Sequence, residues 1–213
     1  TKWRLNWEPG SRYEYHPSSS MWVIGEIIER RGGQPFTVFV KDKVLNPLGL
    51  TNLVVGMSED QNKRALDVSY SGDPLTSEDY AKMGIPEPPV TEVTEEVLLN
   101  FNRAEIQAVG VPGGGGYGNA HDLALFYQAL LHGGLGKEQI WSNETLSSAR
   151  KVRSGALRDP LFGQLANRGL GIIVSGDEHR NSRGFGKTNS SACLLYTSPS
   201  PRDISTSRMP SSA

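Results

Sequence analysis

The order of apolar and polar residues over the first fifty positions predicts two consecutive helices. Candidate N-caps at residues 18–20 precede the first helix, and the glycine pair at residues 32–33 ends it. Its apolar positions recur at helical spacing and are Trp22, Val23, Ile27 and Ile28. The second helix begins at Pro35, a residue well suited to a first helical turn. Its predicted buried face is Phe36, Phe39, Val40 and Val44, and a turn at residues 46–50 follows.

A third predicted helix is the most strongly patterned element in the second half of the chain. Asn119 is its predicted N-cap, Asp122 lies in its first turn, and the glycines at residues 133–134 stop it. Its predicted buried stripe is Leu123, Phe126, Tyr127, Leu130 and Leu131. A short helix over residues 143–152 and a buried strand over residues 169–174 are also predicted. Helices first and a strand last favour an α+β fold over alternating βαβ units.

Residues 56–100 carry little periodicity, and toward their end they contain Pro86, Pro88 and Pro89 and an acidic patch at residues 92–96. A stretch this long without strong patterning predicts an excursion over the surface, of the kind that often covers a functional site. A variable insertion with no role of its own fits the same pattern equally well.

The composition of the chain argues against several classes of function. The chain has 213 residues and a mass of 23.2 kDa, enough for a domain with a real core. Its 22 basic and 23 acidic residues leave a net charge of −1, which gives no electrostatic basis for binding nucleic acid or an anionic membrane. The sequence shows no apolar run long enough for a membrane span. One cysteine, Cys193, excludes an internal disulfide and a cysteine-based zinc site. Because the chain starts at Thr1 with no readable leader, we expect it to come from a longer protein.

Residues 193–213 differ from the rest of the chain. They are rich in serine and proline and contain no glycine, a composition typical of a disordered tail. Back-translation favours another interpretation, because residues 193–203 and 208–213 can be encoded by DNA resembling the two ends of a transposase-type sequencing adapter. We therefore predict a partial native domain over residues 1–192, followed by a non-native tail that includes Cys193.

Several common kinds of site are not predicted. The glycine run at residues 113–116 lacks the Gly-Lys-Ser/Thr that follows in a phosphate-binding loop, and no G-x-S-x-G elbow is present. The histidines are scattered without metal-ligand spacing, at His16, His121, His132 and His179. Ser148 and Lys151 match S-x-x-K, where a helical turn would bring an amine beside a hydroxyl, but their polar surroundings indicate a chance match. No cofactor and no metal are predicted.

Several segments together resemble one known family. They are the sequence WEPGSRYEYHP at residues 7–17 with the helix after it, GQPF at residues 33–36, the LNPLGL turn at residues 45–50, the glycine-rich block at residues 112–118 with the start of the helix at 122–124, and the predicted strand at residues 169–171. They are similar to the serine β-lactamase-related proteins: class C β-lactamases, penicillin-binding D-alanyl peptidases and β-lactamase-like esterases. The likeness covers roughly residues 3–190. It implies an α+β, partial serine β-lactamase/penicillin-binding-protein-like fold, with a helical domain and part of an antiparallel sheet.

The family uses three motifs, of which this chain matches one. S-x-x-K supplies nucleophile and base, the tyrosine of Y-x-N assists proton transfer, and K-T-G or H-x-G lines the pocket. Tyr15 falls where the motif tyrosine belongs, so the resemblance implies that it is catalytic. A neighbouring ammonium stabilises a phenolate, which is why a tyrosine can serve as a base. Without the resemblance, the Tyr-x-Tyr pair would indicate ordinary aromatic packing.

The chain departs from the family pattern at the other motif positions. Pro17 stands where the family usually has asparagine, with Ser18 as a candidate substitute. The S-x-x-K should precede Thr1 and the last motif should follow Ser191, so residues 187–189 (Lys-Thr-Asn) are not assigned that role. The resemblance thus implies a fragment of a serine hydrolase that acts on an ester, amide or β-lactam. We expect a small-molecule or peptide substrate, and an inactive fragment.

Two other functions fit the sequence. A non-catalytic module of the same fold, binding peptide or cell-wall material, would lack S-x-x-K in the full gene. A plain helical interaction domain with a disordered tail would unfold cooperatively as residues 1–192 alone. The sequence leaves both open.

Overall fold

The computed structural model describes residues 4–16, 19–84, 87 and 95–160, then residues 165–174 and the backbone of 191–192. The chain divides into two compact units. His16–Trp141 form what we call the central unit, and Thr1–Tyr15 with Ser142–Ala213 form the terminal unit. Among the helices of the described ranges, none has the length and apolar character needed to cross a membrane.

The central unit is mainly helical. Its α-helices are α1 (Ser19–Gly32), α2 (Phe36–Val40), α3 (Glu59–Asn62), α4 (Ser77–Met83), α5 (Glu95–Leu99), α6 (Ala104–Val109) and α7 (Ala120–His132). A π-helical turn, Lys41–Leu45, continues α2, and a 3₁₀ turn, Asn100–Asn102, continues α5. Two antiparallel pairs complete the described part of the unit: β1 (Val54–Val55) with β2 (Gly116–Tyr117), and β3 (Gly134–Leu135) with β4 (Glu138–Gln139).

The second predicted helix begins after Pro35 as expected but changes its winding at Lys41. The N–H of Asn46 donates to the carbonyl of Lys41 at 2.8 Å, a bond spanning five residues that defines a π-turn. The wider turn is followed directly by the most buried part of the chain. The buried centre of the core is Leu45, Leu48, Leu50 and Ala129, and the predicted Val40 and Val44 pack against it.

Helix α1 confirms the first predicted helix, and Gly33, at φ +69°, ends it. Its apolar stripe, however, faces outward: Trp22 is 37% exposed and Ile27 is 54% exposed. The buried residue of α1 is Gly25, whose missing side chain leaves room for Pro112 and Phe36. Helix α1 is therefore buried at its glycine, while Trp22, Val23, Ile24 and Ile27 remain 37–54% exposed.

Helix α7 matches its predicted limits. The side chain of Asn119 accepts a hydrogen bond from the N–H of Asp122 at 2.8 Å, and Gly133 ends the helix at φ +90°. The predicted stripe is wrong at Leu131, which is 54% exposed. The face that packs on the core is centred on Ala129, flanked by Leu125 and Phe126, and this rotation turns Leu131 toward solvent.

The segment after β1 is largely exposed over residues 59–84, as a surface excursion predicts. It also contains short helices that the weak apolar pattern did not reveal. Ser58 and Gln61 form a capping box at the start of α3, and Thr76 and Asp79 form another at the start of α4. Residues 85–86 and 88–94 lie outside the described ranges.

The terminal unit contains α8 (Asn143–Ala149), β5 (Ile173–Val174) and β6 (Ser191–Ala192) in its described part. β5 and β6 are antiparallel, with Ile173 opposite Ala192. The predicted strand over residues 169–174 is wrong in its first four residues. Gly171 has φ +73° and the N–H of Gly169 donates to the carbonyl of Ile172 at 2.9 Å, which makes a tight turn. Only the last two residues remain extended.

Candidate active site

Tyr15, the predicted motif tyrosine, lies in the terminal unit and is 41% exposed. The guanidinium carbon of Arg168 lies 5.8 Å from its ring centroid and 5.2 Å from the ring centroid of Tyr13. Both separations fall within the range of about 6 Å at which a cation is attracted to an aromatic face. The structure thus places the predicted tyrosine beside an arginine that sequence reasoning did not single out.

Arg168 is held by both its backbone and its side chain. Its N–H donates to the Ser154 hydroxyl at 3.0 Å, and its carbonyl accepts the N–H of Arg153 at 2.7 Å. Its guanidinium Nη2 lies 3.8 Å from a carboxylate oxygen of Asp159, with the two side chains 16% and 3% exposed. Within the described ranges, its buried Nε has no hydrogen-bond partner. The guanidinium is therefore largely buried, with the Asp159 carboxylate as its counter-charge.

Tyr13 shares this cation with Tyr15. Burial raises the pKa of Tyr13, the Arg168 charge opposes that rise, and the Asp159 charge adds to it. Tyr13 is therefore a neutral phenol near pH 7, while the more exposed Tyr15 ring is the one that solvent or a substrate can reach. An exposed phenol can exchange a proton with a substrate.

The S-x-x-K match at Ser148 does not have the geometry of a nucleophile and base. Helix α8 ends at Ala149, before Lys151, and Lys151 is exposed. The Ser148 hydroxyl instead accepts a hydrogen bond from the Arg153 guanidinium at 2.6 Å. Because arginine stays protonated in proteins, that neighbour cannot remove the serine proton. This geometry agrees with the interpretation of the motif as a chance match.

The glycine-rich segment of the central unit serves close packing of the chain against itself. The N–H of Gly115 donates to the Val111 carbonyl at 2.6 Å, and a side chain at Gly115 would overlap the Val111 backbone. A side chain at Gly114 would lie 3.0 Å from the Phe101 ring. The segment leads into β2, where Tyr117 pairs with Val54 and donates its hydroxyl proton to the Phe101 carbonyl at 2.8 Å.

A cavity of about 390 Å³ lies in the central unit beside β2. Its polar lining includes Asn52, Gln61, Arg64 and Asn119, and the Arg64 guanidinium donates to the Asn52 side-chain oxygen at 3.3 Å. The volume suits a small ligand. No residue predicted to act in catalysis belongs to its lining.

The histidines of the described ranges do not assemble a metal centre. No group of three His, Cys, Asp or Glu side chains there is placed to hold a metal ion. His121 is paired instead with Asp122, its Nδ1 lying 3.1 Å from a carboxylate oxygen. Other residues weighed in the sequence lie outside the described ranges: Pro17, Ser18, His179, residues 187–189 and Cys193.

A family model described as Beta-lactamase matches residues 1–198. The chain belongs to the beta-lactamase family. The match confirms the resemblance seen in the sequence, while the catalytic role of Tyr15 stays a prediction.

Two Escherichia coli proteins are similar to this beta-lactamase-family chain. Each is named "Putative D-alanyl-D-alanine carboxypeptidase", one from O157:H7 at 27% identity and one from K12 at 26%, both over 181 residues. The alignments cover 76% of this chain but 40% of each relative. The chain therefore spans well under half the length of these curated relatives.

Solved structures give the same fold. A penicillin-binding protein homolog from Caulobacter crescentus matches with a TM-score of 0.59 and 24% identity, over 84% of this chain and 46% of that one. EstA from Arthrobacter nitroguajacolicus Rue61a matches with a TM-score of 0.59 and 21% identity, over 80% and 46%. The predicted fold class is therefore confirmed: helices with short antiparallel pairs, forming part of a β-lactamase/penicillin-binding-protein-like fold.

Proposed function

We propose that this chain is part of a serine hydrolase that cleaves an ester, an amide or a β-lactam through an acyl-enzyme, with Tyr15 as general base and general acid. The nucleophilic serine and its lysine, in S-x-x-K, and the K-T-G or H-x-G strand motif belong to the remainder of the protein. The chain covers 40% of its curated relatives, which is consistent with motifs being placed elsewhere.

One observation carries the proposal: the tyrosine at the motif position is the exposed member of a tyrosine pair that shares a fixed cation. In acyl transfer the tyrosine must take a proton from the serine hydroxyl and return one to the leaving group. It needs access to both, which a buried packing tyrosine lacks. Tyr15 is 41% exposed in this chain, whereas Tyr13 is half-buried.

The exposed apolar face of α1 supports the view that these residues belong to a larger fold. Trp22, Val23, Ile24 and Ile27 lie along one stretch of the helix, each between 37% and 54% exposed. Adjacent large apolar side chains on a helix are usually buried in a complete domain. In the longer protein, we expect other segments of the same domain to cover them.

The experiment for this proposal uses the longer protein that carries the segment. Wild type and Tyr15→Phe are assayed on p-nitrophenyl acetate, a chromogenic cephalosporin and a peptide ending in D-Ala-D-Ala. Loss of proton transfer predicts a fall in kcat of about 10²- to 10⁴-fold on whichever substrate is cleaved. Tyr70→Phe, the same chemical change at an exposed tyrosine of the central unit, is the matched control and should keep full activity.

The rival function, a non-catalytic module that binds peptide or cell-wall material, has a distinct outcome. It predicts binding of the peptide without turnover of any of the three substrates. Full activity in Tyr15→Phe would also remove the proposed role of the residue. We further expect the 213-residue chain on its own to be inactive, since catalytic groups act as a unit and losing the nucleophile costs several orders of magnitude.

A further inference from the structure

We propose that Arg168 is a positioning residue for Tyr15: anchored by Asp159, its guanidinium fixes the orientation of the Tyr15 ring for proton transfer. The inference rests on the proposed function and adds a residue that neither the motif pattern nor the family match assigns.

The first step is that Arg168 has little freedom of its own. Hydrogen bonds hold its backbone N–H to Ser154 and its carbonyl to Arg153, at 3.0 and 2.7 Å. The residue before it, Asn167, is buried and adopts φ +47°, a left-handed conformation that asparagine tolerates better than most residues. The backbone of Arg168 is therefore held on both sides, at its N–H and at its carbonyl.

The second step is that the guanidinium carries an anchored charge. Asp159, 3% exposed, lies 3.8 Å from Nη2, and the side chain of Arg168 is itself 16% exposed. A charge this far removed from water is held in place by its counter-charge, because leaving it unpaired is costly. Asp159 thus keeps the cation beside the tyrosines rather than free in solvent.

The third step is that one planar group contacts two rings. Tyr13 is half-buried and its ring centroid lies 5.2 Å from the guanidinium carbon, so it forms the more enclosed side of the stack. Tyr15 is the mobile side, since its exposed ring otherwise has freedom to turn. Stacking on the guanidinium at 5.8 Å limits that turning, which is what a proton-transfer group requires.

The experiment combines spectroscopy with kinetics in the longer protein. The variants are Arg168→Met, which keeps bulk but loses charge and planarity, and Arg168→Lys, which keeps charge but loses the stacking plane. Lys151→Met, the removal of an exposed cation in the same unit, is the control. Each variant is made in two backgrounds, one with Tyr15 and one with Tyr15→Phe. Thermal unfolding identifies the variants that remain folded, and only these are compared.

Subtracting the near-ultraviolet circular dichroism spectrum of a Tyr15→Phe protein from that of the same protein with Tyr15 leaves the signal of the Tyr15 ring. That signal is strong only when the ring is held in one orientation. We expect Arg168→Met to abolish this difference, Arg168→Lys to reduce it, and Lys151→Met to preserve it. In kinetics, Arg168→Met should lower kcat about 10- to 100-fold, with KM changed less than about twofold, because a misplaced group loses rate more than binding. In the Tyr15→Phe background the same change should have little further effect.

The outcomes separate this inference from the proposed function. An unchanged dichroism difference in Arg168→Met, or an equal loss of kcat in both backgrounds, would show that Arg168 does not act through Tyr15. A fully active Tyr15→Phe protein would overturn the proposed function instead. In that case the dichroism difference still shows whether Arg168 fixes the ring.

Discussion

At the scale of single residues, the surroundings of Tyr15 depend on charged side chains that the fold buries. Tyr15 could be located from its motif, but Arg168 and Asp159 could not. Nothing in a sequence distinguishes an arginine that a turn directs against two aromatic rings from the many that face solvent. The backbone around Arg168 is shaped by the turn at residues 169–172 and by the hydrogen bond from the Arg153 N–H to the Arg168 carbonyl.

Asp122 is another buried charge, and it makes a pH-dependent prediction. Hydrogen bonds from His121 and from the N–H of Asn52 hold the pKa of Asp122 below its usual range. A carboxyl with a lowered folded-state pKa stabilises the fold above the ordinary value of about 4, and this contribution is lost as the pH falls through the lower value. Asp122→Asn should therefore flatten the fall in unfolding free energy between pH 5 and pH 2.

Urea unfolding at a series of pH values measures this effect. The exposed Asp67→Asn is the control and should keep the wild-type slope. If the unfolding free energy of Asp122→Asn falls with pH as steeply as that of the wild type, the hydrogen bonds assigned to Asp122 are contradicted.

At the scale of elements, the features that local sequence signals determine could be predicted, whereas those that depend on packing could not. Both helices are predicted: α7 begins at its Asn119 cap and ends at Gly133, and α1 ends at Gly33. The strand prediction is wrong for residues 169–172 because Gly169 and Gly171 favour a turn over an extended backbone. The outward face of α1 could not be foreseen, since which side of a helix is covered depends on distant segments. The capping boxes at Ser58 and Thr76 were present in the sequence and would have identified α3 and α4.

Gly110, at the end of α6, tests how closely two segments of the central unit pack. It has φ +65°, and a side chain there would lie 2.5 Å from the backbone nitrogen of Gly56. Gly136 has a similar φ of +61° but open space around it. Gly136→Ala should cost only the left-handed strain of about 1–2 kcal/mol. Gly110→Ala should cost about 1–3 kcal/mol more, because backbone must also shift.

Urea unfolding of the two variants side by side measures the difference. Equal destabilisation would show that the chain near Gly56 is not packed against Gly110.

At the scale of the whole molecule, the chain is a beta-lactamase-family segment, and we propose that it supplies the tyrosine of a serine hydrolase. The family match covers residues 1–198, and the solved penicillin-binding protein homolog shares the fold. Partial coverage of the relatives and the outward apolar face of α1 both favour a larger domain around these residues. The adapter-like tail at residues 193–213 remains a prediction about the encoding DNA.

The most direct test is to recover the gene around this reading frame independently from its source and read it through both ends. The account predicts an S-x-x-K motif upstream of Thr1, and natural sequence with H-x-G or K-T-G in place of residues 193–213. A gene that truly begins at Thr1 and ends in the present tail would lack the nucleophile and would contradict the serine hydrolase function.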